Sequence, residues 1–276
     1  MHKFQNCIIK SKENKNPFKI SKKKIINIYK KNGAVIFKGF NFNLNNFKKF
    51  TKIFTNVYAR DANRRKKLKD LNYVDSGNQY MSLHSEASFS PSWPEIVWFY
   101  GKLPTKKFGE TTLCCGNELW KKLNFKTKDY LQKNQLKFKL KIPTNKKHNS
   151  KKNWDLNEIG VSNCFIDRKG FINFDYINFA MNKSMYDNKI YLASHILYKK
   201  GDDTIINLSQ LNGKKLPPSL VRIIEKKANE ITYFHKWEKH DLIMLDNKRI
   251  MHGRNFFLKN EKREILNLQT LKANIQ

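Results

Sequence analysis

Acidic residues are scarce in this chain: 23 Asp and Glu stand against 55 Lys and Arg, a formal net charge of +32. Arginine is scarce as well, supplying only 8 of those 55 cations. Nucleic-acid sites use arginine beside lysine, because a planar guanidinium grips phosphates and base edges. A basic chain poor in arginine, with its lysines spread along its length, argues against a nucleic-acid binder. Lysine, asparagine and isoleucine are the residues of A/T-rich codons, so a solvated basic surface is the first reading. Docking to an acidic partner, such as a phosphorylated carrier protein, is the second. Either way, a field of this sign speeds encounter with anionic partners at low salt.

Long apolar runs are missing too. None approaches the ~18–20 residues of a membrane span, and Met1-His2-Lys3-Phe4-Gln5-Asn6 lacks the apolar core of a signal peptide. The four cysteines (Cys7, Cys114, Cys115 and Cys164) have no zinc spacing, and two are adjacent. They are too few for a disulfide scaffold, which points to a reducing cytoplasm. There is no internal repeat and no interdomain linker. With 276 residues the chain can bury a sizeable core, so one domain over residues 1–276 is expected.

Short strands dominate the pattern. Ser21 is placed to cap a helix through Lys31, with Gly33 as its stop, and residues 34–37 then read as a buried strand. Residues 45–54 read as helical, with Phe47, Phe50 and Phe54 at helical spacing. The charged run 60–70 reads as a mobile loop over a site mouth. Residues 96–100 form a continuous apolar strand, 117–123 and 127–134 short helices, and 136–142 a half-exposed strand. Residues 143–153 read as a polar loop. Residues 218–230 read as a helix with Leu220, Ile223, Ile224 and Ala228 inward. Residues 231–234, 242–245 and 265–271 read as strands. This is a mainly β chain with flanking helices, which suits a jelly roll.

The chemistry starts at His84-Ser85-Glu86. Residues i and i+2 of a strand point to one face, so His84 and Glu86 can reach one metal together. A histidine from a distant strand, such as His252, would complete a face of two histidines and one carboxylate with open positions opposite, which suits non-haem Fe(II). An HxE triplet alone is weak. What surrounds it is more specific: Leu83-His84-Ser85-Glu86-Ala87-Ser88-Phe89-Ser90-Pro91 and then Trp93-Pro94; Gly109-Glu110-Thr111-Thr112-Leu113; Asp246-Asn247-Lys248-Arg249-Ile250-Met251-His252-Gly253-Arg254; and Lys262-Arg263-Glu264-Ile265-Leu266. Lys31-Asn32-Gly33-Ala34-Val35-Ile36-Phe37-Lys38-Gly39-Phe40 is a weaker opening phrase.

In order and spacing these segments resemble the TauD/TfdA family of Fe(II)/2-oxoglutarate dioxygenases, over residues 20–271. The resemblance implies a double-stranded β-helix (jelly roll, cupin-like), Fe(II) on His84, Glu86 and His252, and 2-oxoglutarate and O2 as cosubstrates. It implies that Arg263, eleven residues past His252, forks onto the far carboxylate of 2-oxoglutarate. Thr111 would share that carboxylate, with Thr112 as the substitute. Arg254 would touch cosubstrate or substrate, or make a structural ion pair. Trp237 and Asp241 resemble a W-x-x-G-D turn, with His240 in place of glycine, and Phe108 stands where a first glycine is usual. His2, His148, His195, His235 and His240 read as structural or solvent-facing.

The resemblance also shapes the reaction expected. Related halogenases carry a small residue at the carboxylate position, and Glu86 fills it, so hydroxylation of an unactivated C–H bond is favoured over halogenation. Taurine-type enzymes anchor a sulfonate with an arginine four residues past the one on 2-oxoglutarate. Here that residue is Asn267, which argues against a sulfonate. Glutamate in the triplet is commoner among the amino-acid and natural-product hydroxylases, including SyrP-like enzymes that act on carrier-bound substrates. Desaturation or cyclisation by the same site is the alternative. A basic nucleic-acid-binding protein on this scaffold and a decayed, metal-free binding protein are alternatives of another class. The first predicts clustered arginine and aromatic residues; the second predicts loss of a site residue, and none is lost.

Overall fold

The computed structural model describes residues 3–13, 15–55, 57–59, 66–68, 71–74, 77–143, 154–156, 159–197 and 205–275. Two sheets form its centre. The larger has eight strands, ordered Ile8–Lys10, Ala34–Lys38, Leu242–Asp246, Ile96–Leu103, Glu264–Lys272, Leu71–Tyr73 and Lys66–Leu68, with Val57–Tyr58 also paired to Glu264–Lys272. The smaller runs Tyr233–His235, Thr111–Cys115, Ile250–Arg254 and Met81–His84. All pairings in the two are antiparallel except Ile8–Lys10 with Ala34–Lys38.

Alternation sorts the side chains into layers. Ala34, Ile36, Val97, Phe99, Ile243, Leu245 and Ile265 of the large sheet meet Leu113, Cys115 and Ile250 of the small one in a shared apolar layer. The large sheet's other face carries Val35, Phe37, Trp98, Tyr100, Met244, Leu266 and Leu268. The Lys22–Asn32 and Leu44–Thr51 helices cover it, and five phenylalanines fill the joint. The small sheet turns Leu83, Cys114 and Met251 outward, onto helices and a third sheet. This is the expected jelly roll with flanking helices, and the small sheet's inward positions form one wall of a site.

The local readings explain most elements. Ser21 accepts from Lys24 N at the start of the first helix, and Gly33 ends it at φ 79°. Arg249, 1% exposed, then ties that helix to the turn before His252. It donates to the Tyr29 and Lys30 carbonyls at 2.6 and 2.8 Å and to Asp246 at 2.6 Å, serving carbonyls that a helix end leaves open. The helix expected over 45–54 stops at Thr51, though Phe47, Phe50 and Phe54 are all buried. The strand expected over 231–234 is Tyr233–His235.

Two expectations fall largely outside the described residues. Of the run 60–70 only 66–68 are described, and they form a strand paired with Leu71–Tyr73 rather than a loop. The loop 143–153 is undescribed beyond Pro143, which ends the Leu136–Pro143 strand. Of a third sheet only the half-exposed strand over 136–142 was legible in sequence; it is Leu136–Pro143, and the sheet runs Trp154–Leu156, Val161–Ile166, Phe171–Asn178, Leu136–Pro143 and Ile205–Gln210 in that order. Among the described residues no helix is long and apolar enough to cross a membrane.

Candidate metal centre

His84 and His252 are cross-strand partners in the small sheet, His84 at the end of one strand and His252 in the middle of its neighbour. Their rings lie 4.5 Å apart between centroids. One ligand atom from each of His84, Glu86 and His252 lies within 4.8 Å of the others. His252 Nε2 is 3.7 Å from Glu86 Oε2, and all three residues are 4–9% exposed. His84 Nδ1 lies 2.9 Å from the Ser82 carbonyl. A carbonyl only accepts, so Nδ1 carries the proton and Nε2 keeps its lone pair, the arrangement in which a second partner orients a metal-binding imidazole. His252 Nδ1 is buried with no hydrogen-bond partner among the described residues. Two imidazoles and a carboxylate, all buried and converging on one point, form a donor set that fits a divalent ion.

The route by which Glu86 arrives there differs from strand alternation. The strand ends at His84, and the chain turns over Ser85–Ser88, with Ser88 N donating to Ser85 O at 3.2 Å and Ala87 at φ 50°. Asn247 holds this turn. Its Oδ1 accepts from Glu86 N at 2.8 Å, and its Nδ2 donates to Glu86 O at 2.8 Å and Pro94 O at 2.9 Å. Ser85 Oγ donates to the Asn247 carbonyl and accepts from Trp93 Nε1 at 2.9 Å.

Thr111 and Arg254 are cross-strand partners in the same small sheet. Arg263, just before Glu264–Lys272, reaches them from the large sheet. Its Nε donates to Gly109 O at 3.0 Å and its Nη2 to Thr111 Oγ1 at 3.4 Å. Its Nη1 is shielded from solvent with no hydrogen-bond partner among the described residues. Arg254 donates to Gln79 O at 2.9 Å, and both guanidinium groups lie over the Phe257 ring, at 5.4 and 5.9 Å. Loss of water, then the neighbouring Arg254 charge, pushes the Arg263 guanidinium down to about 9. Burial lowers Arg254 as well. Two desolvated cations beside each other favour an anion between them. One cleft is lined by His84, Glu86, His252, Thr111, Arg254 and Arg263, with Val74, Met81, Phe99, Gly253 and Ile265 between them. Residues 11–269 match the family model "Taurine catabolism dioxygenase TauD, TfdA family".

The chain belongs to the TauD/TfdA dioxygenase family.

Solved structures carry the same fold. PvcB from Pseudomonas aeruginosa superposes with TM-score 0.64 at 11% identity, covering 95% of this chain and 84% of that one. A second PvcB structure, described as an Fe, α-ketoglutarate dependent oxygenase from an isonitrile synthetic pathway, gives 0.62 at 10% identity, with 95% and 85% covered. AAD-2 in complex with Mn(II) and N-oxalylglycine gives 0.60 at 14% identity, with 97% and 94% covered. No curated protein sequence matches the chain significantly.

Both departures from the TauD/TfdA pattern are absorbed by backbone conformation. Phe108 takes φ 59° and His240 φ 74°, the left-handed region in which glycine is at ease. The His240 turn keeps its form: Asp241 N donates to Glu238 O at 3.1 Å, and the Tyr100 hydroxyl lies 2.8 Å from His240 Nδ1. Gly109, at φ 70°, is more tightly confined. A Cβ there would come within 2.7 Å of Thr105 Oγ1 and 3.4 Å of Arg263 Cδ.

Three residues without an assigned role in the sequence reading turn out to support the site. Asn247 stood in a motif but carried no function. His195 is buried, with its ring 5.0 Å from that of His84 and its Nδ1 3.1 Å from Ser88 Oγ. Trp237 donates to Thr111 Oγ1 at 2.9 Å. No local pattern marks His195; only the fold sets it against His84. His235 is buried as well, and His2 and His148 lie outside the described residues.

Proposed function

We propose that this TauD/TfdA chain is a single-domain Fe(II)/2-oxoglutarate oxygenase that hydroxylates an unactivated C–H bond of a small or carrier-bound substrate, in amino-acid or natural-product tailoring. The observation that carries this reading is one cleft holding two histidines and a carboxylate beside two desolvated arginines. His84, Glu86 and His252 would hold the iron. When bound with 2-oxoglutarate and O2, iron supplies the oxidising chemistry, in which the keto acid is decarboxylated to succinate and CO2.

The chain's own residues bind and orient. Arg263 offers its free Nη1 and Thr111 its hydroxyl to the far carboxylate of 2-oxoglutarate. Arg254 adds a second positive charge on the same anion or on the substrate. Val74, Met81, Phe99 and Ile265 line the cleft with apolar surface. No side-chain general base is required. Glu86 fills the position a halide would need, which supports hydroxylation. Asn267, buried in the Glu264–Lys272 strand with its Nδ2 3.4 Å from Trp98 O, offers no cation to a sulfonate. Four free, buried cysteines accord with a reducing cytoplasm as the place of action.

The test is anaerobic. Protein with Fe(II) and 2-oxoglutarate should show the weak visible charge-transfer band of the chelated keto acid, and His84→Ala or His252→Ala should abolish it. A band that survives in the double variant overturns the ligand assignment. Succinate release with free and carrier-bound amino acids and acyl groups then finds the substrate class. A product that gains oxygen supports hydroxylation, one that loses hydrogen points to desaturation or cyclisation, and a chlorinated product in excess chloride overturns the reading.

A further inference from the structure

We propose that Trp237 is a positioning residue for the cosubstrate: its indole N–H fixes which way the Thr111 hydroxyl points. This rests on the 2-oxoglutarate reading of the cleft. Thr111 Oγ1 lies 2.9 Å from Trp237 Nε1 and 3.4 Å from Arg263 Nη2. Indole and guanidinium nitrogens donate and cannot accept. The hydroxyl oxygen therefore accepts from both, and its two lone pairs are engaged. Its own hydrogen remains, and no described residue accepts it. Thr111 is 3% exposed and lines the cleft, so the O–H is turned into the cleft as a donor. It stands there beside the unpartnered Nη1 of Arg263. Donors from two sheets thus converge on a position that favours an anionic oxygen over a group bearing its own hydrogen.

The indole is held for this task. A Cβ on Gly101 would lie 2.7 Å from Trp237 Cε3, so the benzo ring packs on the bare backbone of the Ile96–Leu103 strand. The His235 ring meets the indole edge to face at 4.6 Å. His235 is buried, its Nε2 3.2 Å from Asp241 Oδ2, which also lies 3.3 Å from Lys38 Nζ. A hydroxyl already aimed at its ligand loses less freedom on binding. Without the indole donor, the Thr111 hydroxyl rotates among several partners and the ordering is left to the ligand.

The test is a double-mutant cycle on Mn(II)-loaded protein, titrated with 2-oxoglutarate by calorimetry, with Mn(II) affinity and Tm measured alongside. Trp237→Phe keeps an aromatic ring and removes the N–H. It should weaken 2-oxoglutarate about three- to tenfold, the usual worth of one hydrogen bond, with Mn(II) affinity unchanged. In a Thr111→Val background the same change should cost less than about twofold, because the coupled partner is gone. An equal loss in both backgrounds overturns the proposal, as does unaltered binding by Trp237→Phe when Thr111→Val weakens it. If Trp237→Phe lowers Tm, benzothienylalanine at position 237 keeps the indole shape without the N–H and gives the same comparison. Binding that is absent in the parent protein, or indifferent to Arg263→Lys, instead overturns the cosubstrate reading and the role of Trp237 with it.

Discussion

Asn247 grips the peptide groups on both sides of Glu86, accepting from its N–H and donating to its carbonyl, each at 2.8 Å. The clamp makes the carboxylate part of the same hairpin that carries His252, because Asn247 sits in the turn between Leu242–Asp246 and Ile250–Arg254. One amide therefore sets the distance between two of the three proposed ligands. Asn247→Ala should weaken Mn(II) or Fe(II) binding by roughly 10- to 100-fold, the usual effect of losing a residue that orients a ligand. It should also lower Tm, since buried backbone groups lose their partners. Calorimetric metal titration checks the first. Unchanged metal affinity would show that the turn after His84 holds Glu86 unaided.

Arg263→Lys keeps the charge and loses the fork. A charge-assisted bond of this kind is worth ~1.5–3 kcal/mol, so the 2-oxoglutarate requirement should rise by roughly one to two decades. Fe(II) binding should hardly change, because no metal-ligand candidate bonds to Arg263. An unchanged 2-oxoglutarate titration would move the role to Arg254.

Stability should fall on mild acidification. Burial, the largest influence on each, pushes His195 and His235 below the ordinary histidine value; Asp241 pulls His235 the other way without overcoming it. Each is therefore neutral inside and takes up a proton when the chain unfolds. The unfolded state binds more protons below about pH 6.5, so their contribution is complete above that value and is lost progressively beneath it. Tm followed from about pH 7.5 to about pH 5.5 should drop, and His235→Gln should make the profile shallower. A parent profile that is flat throughout would mean that the two rings take up protons alike in the native and unfolded states, and would overturn the neutral-ring reading.

Screening tests the basic surface. If it serves an acidic carrier protein, turnover of carrier-bound substrate should fall steeply between low salt and ~0.5 M, because exposed charges lose reach. A small thioester mimic should respond little. Parallel responses would leave the charge without a docking role, and retardation of DNA or RNA with sequence preference at physiological salt would favour the nucleic-acid alternative.

The sequence by itself determined the family and the β framework, and it named the candidate donors. Residue type limits what can bind a metal or a carboxylate, and period-two alternation needs only neighbours to be read. His84, Glu86, His252, Thr111, Arg254 and Arg263 do share one cleft, although 179 positions separate the first from the last. How they come together was decided only by the tertiary structure. Glu86 joins His84 through a turn pinned by Asn247, not by strand alternation, because the strand has already ended. The Val161–Ile166 and Phe171–Asn178 strands, with burial that follows no clean alternation, gave no periodic signal and are organised by pairing with each other and, for Phe171–Asn178, with the earlier Leu136–Pro143 strand. Trp237, His195 and Gly101 act through atoms more than 80 residues away in sequence. Contacts of that range depend on how the sheets stack, and no local pattern of residue types encodes them.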